Sequence, residues 1–248
     1  MGYLRIENLS KHYGQKQALR DFSACFTAGI YALLGPNGAG KSTLMNIITR
    51  NVCPDSGGTI TWNGTEIVRL GTEYLAKIGY MPQQQGLYNN FTAYRFLGYM
   101  ASLKGLKRRE AALEIPRALE LVELTDVAAK RIGGFSGGMK QRLLIAQAIL
   151  GKPEIVILDE PTAGLDPKQR VRIRSLIQSL AEDKIVIVST HIVSDVESIA
   201  DQVLLLKDGV LAAQGAVEEL AACLPVGCPP TLENIYMQYF GDEGEAPC

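Results

Sequence analysis

Nine consecutive residues, Gly35-Pro36-Asn37-Gly38-Ala39-Gly40-Lys41-Ser42-Thr43, carry the densest chemistry in the chain. Their Gly-x-x-x-x-Gly-Lys-Ser spacing lets backbone N–H groups close around phosphate oxygens. Gly35, Gly38 and Gly40 permit positive φ and close approach to an anion, and a helix starting at Lys41 adds oriented donors and partial positive charge. In such a loop the lysine reaches the β- and γ-phosphates of a nucleotide, and the Ser42 hydroxyl ligates Mg²⁺. The same spacing also suits a glycine turn before an ordinary helix, so the loop alone leaves both readings open.

A second reactive group lies far along the chain. Asp159 and Glu160 directly follow the apolar run at 155–158. An aspartate at such a strand end holds the Mg²⁺ of a phosphate-loop enzyme, and a neighbouring carboxylate polarises the attacking water. A solvated acidic loop is the plain alternative, weakened by the buried character of the run in front. Val188-Ser189-Thr190-His191 places one of only two histidines at the same edge. A histidine after a strand is often structural, yet this one falls where a γ-phosphate sensor would stand. Tyr13 reads as an aromatic residue at a strand end before a glycine turn, or as a ring stacked on adenine.

The elements that position these groups follow from pattern. Residues 30–34 form a short apolar run ahead of the glycine loop, and helical residues continue from 44 to 50. Residues 3–34 read as short β segments, with a hairpin over 59–62 flanked by Asn63-Gly64. Another strand at 78–81 ends at Pro82 and is followed by Gln83, Gln84 and Gln85. From about 88 to 150 the period is helical, with a basic loop at 104–109 read as a solvated face and Pro116 expected to start or kink the second helix. Continuous Ile, Val and Leu at 155–158, 185–188 and 203–206 describe strands buried on both faces, as in a parallel sheet. Helices are expected over 167–181 and 193–199, an edge hairpin at Asp208-Gly209, and a short aromatic helix over 232–240 before an acidic tail.

The 248 residues suffice for a large α/β domain with a subordinate one, and a hydrophobic fraction of 47% argues against disorder. A net charge of -1 and a pI near 6.2 give no electrostatic reason to expect nucleic acid. Five scattered cysteines suggest neither a disulfide framework nor a zinc site and favour a reducing cytoplasm. No apolar run approaches the roughly 18 to 20 residues that cross a bilayer, so direct membrane insertion is not expected.

The run Phe135-Ser136-Gly137-Gly138-Met139-Lys140-Gln141-Arg142, followed by a helix and then by Asp159-Glu160-Pro161 and Ala163-Gly164-Leu165-Asp166, strongly resembles the ATP-binding subunits of ABC transporters. The similarity runs from Tyr3 to about Gln214. It implies an α/β phosphate-loop NTPase fold: a mostly parallel sheet flanked by helices, an N-terminal antiparallel β subdomain and an inserted helical subdomain at about 88–150. The ATP-binding domain would span 1–224 and a short extension 225–248. By resemblance, Tyr13 stacks on adenine, Gly35 to Thr43 hold the phosphates, and Gln83 senses Mg²⁺ and the permease. Ser136, Gly137 and Gly138 form the signature, Asp159 binds metal, and Glu160 is the catalytic base. Asp166 belongs to the aspartate loop and His191 is the switch histidine.

The resemblance further implies an ATPase that uses ATP and Mg²⁺. A second such subunit, as a homodimer, would pack head to tail around two ATP molecules, on the cytoplasmic face of a membrane beside a separate permease docking near residues 83–91. The commoner signature is Leu-Ser-Gly-Gly-Gln. Phe135 and Met139 depart from it, and by resemblance methionine at that place is associated with export-type subunits of the ABC-2 kind, whose permease is a separate chain. An importer subunit is the alternative, and a soluble ABC-type ATPase acting on nucleic acid or ribosomes the less favoured one.

Overall fold

The computed structural model describes residues 2–55, 57–84 and 86–241. The acidic tail, Gln85 and Cys248 lie outside the described residues. Strands β1 (Leu4–Tyr13) and β2 (Lys16–Phe26) pair antiparallel, and β3 (Gly29–Leu34) runs into the glycine loop. Helix α1 (Lys41–Ile48) leaves that loop, followed by β4 (Thr59–Trp62) and β5 (Thr65–Glu66). Asn63 and Gly64 join the last two at φ of 50° and 81°, the left-handed pair that a two-residue hairpin turn demands. Short helices α2 (Ile67–Leu70) and α3 (Thr72–Ala76) lead to β6 (Ile78–Met81).

The helical insert consists of α4 (Ala93–Leu103), α5 (Arg108–Leu121) and α6 (Gly137–Ala148). Two sequence expectations are corrected in part here: a helix start at Pro116 and a solvated basic loop. Helix α5 begins at Arg108, eight residues before Pro116, and carries that proline in its interior. Its start is set by Glu110, whose carboxylate accepts from the Lys107 N–H at 2.7 Å. Burial of Ile115, Ala118 and Leu119 then outweighs the hydrogen bond that Pro116 cannot donate. The basic loop is not wholly a solvated face either. Lys104 Nζ donates to the carbonyls of Ala148 and Leu150 at 2.9 and 3.0 Å, and Arg117 donates to the Ile149 carbonyl at 2.9 Å. Both cations close the C-terminal end of α6, whose last carbonyls have no partner within the helix.

Beyond the insert come β7 (Ile155–Asp159), α7 (Pro167–Leu180) and β8 (Ile185–Ser189). The helix expected over 193–199 is absent. Residues Val193–Asp195 make a single 3-10 turn and the chain continues in turns to β9 (Gln202–Lys207). Strand β10 (Val210–Gly215) closes the expected hairpin through Asp208-Gly209, and α8 (Val217–Ala221) and α9 (Leu232–Phe240) follow. Ile235 of α9 is buried, and Tyr236, Tyr239 and Phe240 pack partly buried on the domain core. Cys25, Cys53 and Cys223 are free thiols. Among the described residues no helix is long and apolar enough to cross a membrane.

Two sheets result, one ordered β2-β1-β4-β5 and one ordered β10-β9-β3-β8-β7-β6. In the larger sheet every pair is parallel except β9 with β10. Successive side chains of its strands enter different cores, as the two-residue strand period requires. Ile30, Ala32 and Leu34 face the cluster shared with the helical insert, while Tyr31 and Leu33 face α1 and the antiparallel sheet. Val156 and Leu158 divide from Ile155 and Ile157 in the same way. The order β3-β8-β7-β6 sets four strand ends side by side, and at those ends lie the glycine loop, Ser189, Asp159 and Gln83.

Candidate functional site

At that edge a cavity of about 210 Å³ is walled on the loop side by Asn37, Gly38, Gly40, Lys41, Ser42 and Thr43. Gln83, Asp159, Glu160 and Ser189 wall the other side, and Tyr13, Lys16 and Ala18 reach in from the antiparallel sheet. The loop backbone is one that only glycine allows at its critical points. Gly35 has φ 154° and a Cβ there would lie 2.2 Å from the Leu206 carbonyl oxygen. Gly40 has φ 109° and a Cβ would lie 2.4 Å from the Ala18 carbonyl oxygen. Two neighbouring strands therefore press the loop into its curve.

Lys41 is buried, and its ammonium donates to the loop's own carbonyls, Gly35 at 2.5 Å and Pro36 at 3.1 Å. Burial pushes its pKa down, opposed by the nearby Glu160 and Asp159 carboxylates. Asp159 is pushed the other way, upward, mainly by burial and further by Glu160, while Ser189, Lys41 and Ser42 draw it down. The edge thus concentrates negative charge beside a buried cation, an imbalance that a divalent cation offsets. The residues present fit one. Ser42 Oγ lies 3.5 Å from Asp159 Oδ2, a hydroxyl and a carboxylate converging on one point. No group of three or more His, Cys, Asp or Glu side chains suited to a metal occurs among the described residues, so phosphate and water oxygens must supply the remaining positions.

Glu160 sits at φ 53°, a left-handed conformation costing a non-glycine residue about 1 to 2 kcal/mol. The turn is held by its own N–H, which donates to the Ser189 carbonyl at 2.9 Å across the β7–β8 pairing. Only 7% of Glu160 is exposed. Its Oε1 stands 2.8 Å from His191 Nδ1, and its buried Oε2 has no hydrogen-bond partner. Glu160 therefore lines the cavity as a buried carboxylate with one oxygen held by His191 and the other shielded and unpartnered, beside the phosphate loop.

The other sequence candidates are placed elsewhere. Ser136 caps α6 by accepting from the Met139 N–H at 3.3 Å, with Gly137 and Gly138 in the first turn. Asp166 caps α7 by accepting from the Gln169 N–H at 2.9 Å. These caps adjoin one another, since a Cβ on Gly138 would lie 2.4 Å from Gln169 Oε1, but none of Ser136, Gly137, Gly138 or Asp166 lines the cavity. Pro36 contributes a carbonyl to Lys41, and Ala39 is packed into the core behind the loop. Sequence reading missed Lys16, Ala18 and Ser189 as wall residues. Lys16 carries a faint signal, a cation three positions after Tyr13, and Ser189 is visible only through its register with Asp159.

The ABC transporter family profile matches residues 19–163. The uncharacterized ABC transporter ATP-binding protein YxlF of Bacillus subtilis (strain 168) is 40% identical over 220 residues, covering 88% of this chain and 72% of that one. The linearmycin resistance ATP-binding protein LnrL of the same organism is 37% identical, covering 89% and 71%. The Nod factor export ATP-binding protein I of Burkholderia orbicola (strain AU 1054) is 34% identical, covering 90% and 73%. A solved structure of an ATP binding subunit of an ABC transporter superposes with a TM-score of 0.82 at 28% identity, covering 95% and 98%. This chain belongs to the ABC transporter family, as a nucleotide-binding subunit with the phosphate-loop NTPase fold. Membership carries ATP binding and hydrolysis with it.

Proposed function

We propose that this chain is the ATP-hydrolysing motor of a transporter that exports its cargo through a separate membrane permease. The observation that carries the reading is Glu160, buried in the wall of the phosphate cavity with one oxygen bonded to His191 and the other unpartnered. Bound there, Mg²⁺ supplies charge neutralisation at the phosphates. Ser42 and Asp159 hold it, Gln83 reports its presence, and Lys41 turns from the loop carbonyls to the β- and γ-phosphates. Glu160 takes the proton of the attacking water, and His191 orients Glu160 and contacts the γ-phosphate.

A cavity of about 210 Å³ is smaller than the roughly 300 to 1,000 Å³ of sites that enclose a drug-sized ligand. It suits the phosphate end of ATP, with the base against the half-exposed Tyr13 and the remaining surface covered from outside. The capped start of α6 is a helix N-terminus with a serine hydroxyl and a glycine N–H, a ready anion site that does not face this chain's own cavity. A second copy packed head to tail would bring its Ser136 to Gly138 onto that phosphate end. Loss of the γ-phosphate contacts would then let the copies part and move the permease from the cytoplasmic face of the membrane. The permease meets this chain near residues 83–91. There Tyr88 is half exposed, stacks on Phe91 at 5.1 Å and meets Tyr99 edge-on at 5.7 Å. Export is favoured by Met139 in the signature and by the printed function of the Nod factor export relative.

The test is assembly. Glu160→Gln with ATP and Mg²⁺ accumulates a dimer on size exclusion, and adding Ser136→Arg abolishes it; a Glu160→Gln protein that stays monomeric, or a dimer indifferent to Ser136→Arg, would contradict the sandwich.

A further inference from the structure

His191 is followed by a segment held by separate turns rather than a continuous helix: the Val196 and Glu197 N–H groups donate to the Val193 carbonyl, both at 3.1 Å, and the Ala200 N–H donates to the Val196 carbonyl at 2.8 Å. Its 3-10 turn, Val193–Asp195, is one turn long, and the turns after it lack the repeating hydrogen bonds of a helix. Two neighbours fix the segment from outside: Arg174 of α7, whose guanidinium donates to the Ser194 carbonyl at 2.8 Å, and α9. Val196 and Ile199 are buried in the same cluster as Leu232 and Ile235, and α9 packs against the 3-10 turn. Glu197 Oε1 accepts the Leu232 N–H at 2.7 Å, one of the donors at the start of α9 that the helix cannot satisfy itself. At the other end Lys207 Nζ donates to the Tyr239 carbonyl at 2.9 Å. A carboxylate at the N-terminus and an ammonium at the C-terminus both match the helix dipole. Lys207 ends β9, the strand whose Leu206 carbonyl presses on Gly35. Helix α9 therefore bridges the back of the phosphate loop and the segment that carries His191.

We propose that Glu197 is a positioning residue for hydrolysis: by latching α9 it fixes the segment that presents His191 to Glu160. This deepens the function proposed above and rests on it. Loosening the latch leaves the phosphate cavity intact, because none of Glu197, Leu232 or Lys207 lines it. The effect falls on the chemical step rather than on ATP binding.

The test uses the full chain with ATP and Mg²⁺. Glu197→Ala lowers kcat by about 5- to 30-fold, the factor for one lost hydrogen bond felt wholly at the site, with KM for ATP changed by less than about twofold. Glu197→Gln, whose amide oxygen accepts the same N–H, restores most of that loss. If Glu197→Ala does not fold, Lys207→Met loosens the opposite end of α9 and carries the same kcat expectation. Amide exchange over residues 190–200 quickens in Glu197→Ala whether or not ATP turns over. Wild-type kcat in the alanine variant, a glutamine variant no better than alanine, or unchanged exchange over 190–200 each overturns the latch. A wild-type chain without ATPase activity but with faster exchange in Glu197→Ala would instead overturn the proposed function and leave the latch standing.

Discussion

Replacing Glu160 by glutamine isolates the proton transfer from everything else at the site. The side chains have nearly the same shape, and the amide oxygen can still meet His191 Nδ1 at the 2.8 Å now spanned by Oε1. The glycine loop, Ser42 and Asp159 are untouched, so nucleotide binding remains. What is lost is basicity at the second oxygen, which is buried and without a protein partner. A positioned base contributes about 10² to 10⁴ in rate, or about 3 to 5 kcal/mol of barrier. Because the amide can keep the His191 contact, little of the loss comes from disorder, and kcat should fall by that whole factor. The assay is steady-state phosphate release at saturating ATP and Mg²⁺, alongside direct measurement of nucleotide affinity. Turnover within about threefold of wild type would remove Glu160 from the mechanism, since no positioned base has so small a share. Equal losses in turnover and affinity would mean that the change damaged the cavity instead.

Three further outcomes follow from the same geometry. Asp159→Asn should raise the melting temperature of the nucleotide-free chain, because burial and Glu160 hold the Asp159 pKa up and the ionised form is the penalised one. That penalty is present above the folded pKa and disappears as pH falls below the unfolded value, so the advantage of asparagine should shrink on acidification; an asparagine variant that melts lower at neutral pH refutes it. Lys104 is partly buried against the end of α6, and desolvation lowers its pKa from 10.5 to about 8. The penalty for its charge is complete below about pH 8 and relieved between there and 10.5. Wild-type stability should therefore rise relative to Lys104→Met by about 2 kcal/mol between pH 8 and 9.5 in denaturant titrations, at about 1.4 kcal/mol per unit, and parallel profiles would remove the effect. Gly40→Ala, which forces a Cβ to 2.4 Å from the Ala18 carbonyl at φ 109°, should abolish nucleotide binding and lower the melting temperature; unchanged binding would show that the loop tolerates a different curve.

Local patterns were most legible where short-range physics decides the outcome. The glycine loop, the Asn63-Gly64 turn and the buried strands at 155–158, 185–188 and 203–206 are stated by residue type and period, and the structure keeps them. The failures share one cause. Pro116 reads as the start or a kink of the second helix, yet α5 starts at Arg108 and runs through it, with Ile115, Ala118 and Leu119 buried in the core. Lys104 belongs to a basic stretch in sequence, but its ammonium closes the end of α6, 44 and 46 positions away. Residues 193–199 have helical spacing, yet their apolar side chains are committed to α9 and the chain takes turns instead.

The sequence by itself determined the chemistry at each strand end: a phosphate loop, an aspartate and a glutamate, and a histidine, each announced by its neighbours. Their arrangement was decided only by tertiary structure. The parallel order β3-β8-β7-β6 sets those ends side by side, pairs Asp159 with Ser189, and places His191 against Glu160. It also leaves Ser136 and Asp166 outside the cavity, each spent on capping a helix. Residue identity is local, whereas strand order depends on pairings such as Ile155 with Ile185, Ile78 with Ile155 and Gly29 with Ile185, which join distant segments that no short window of sequence contains.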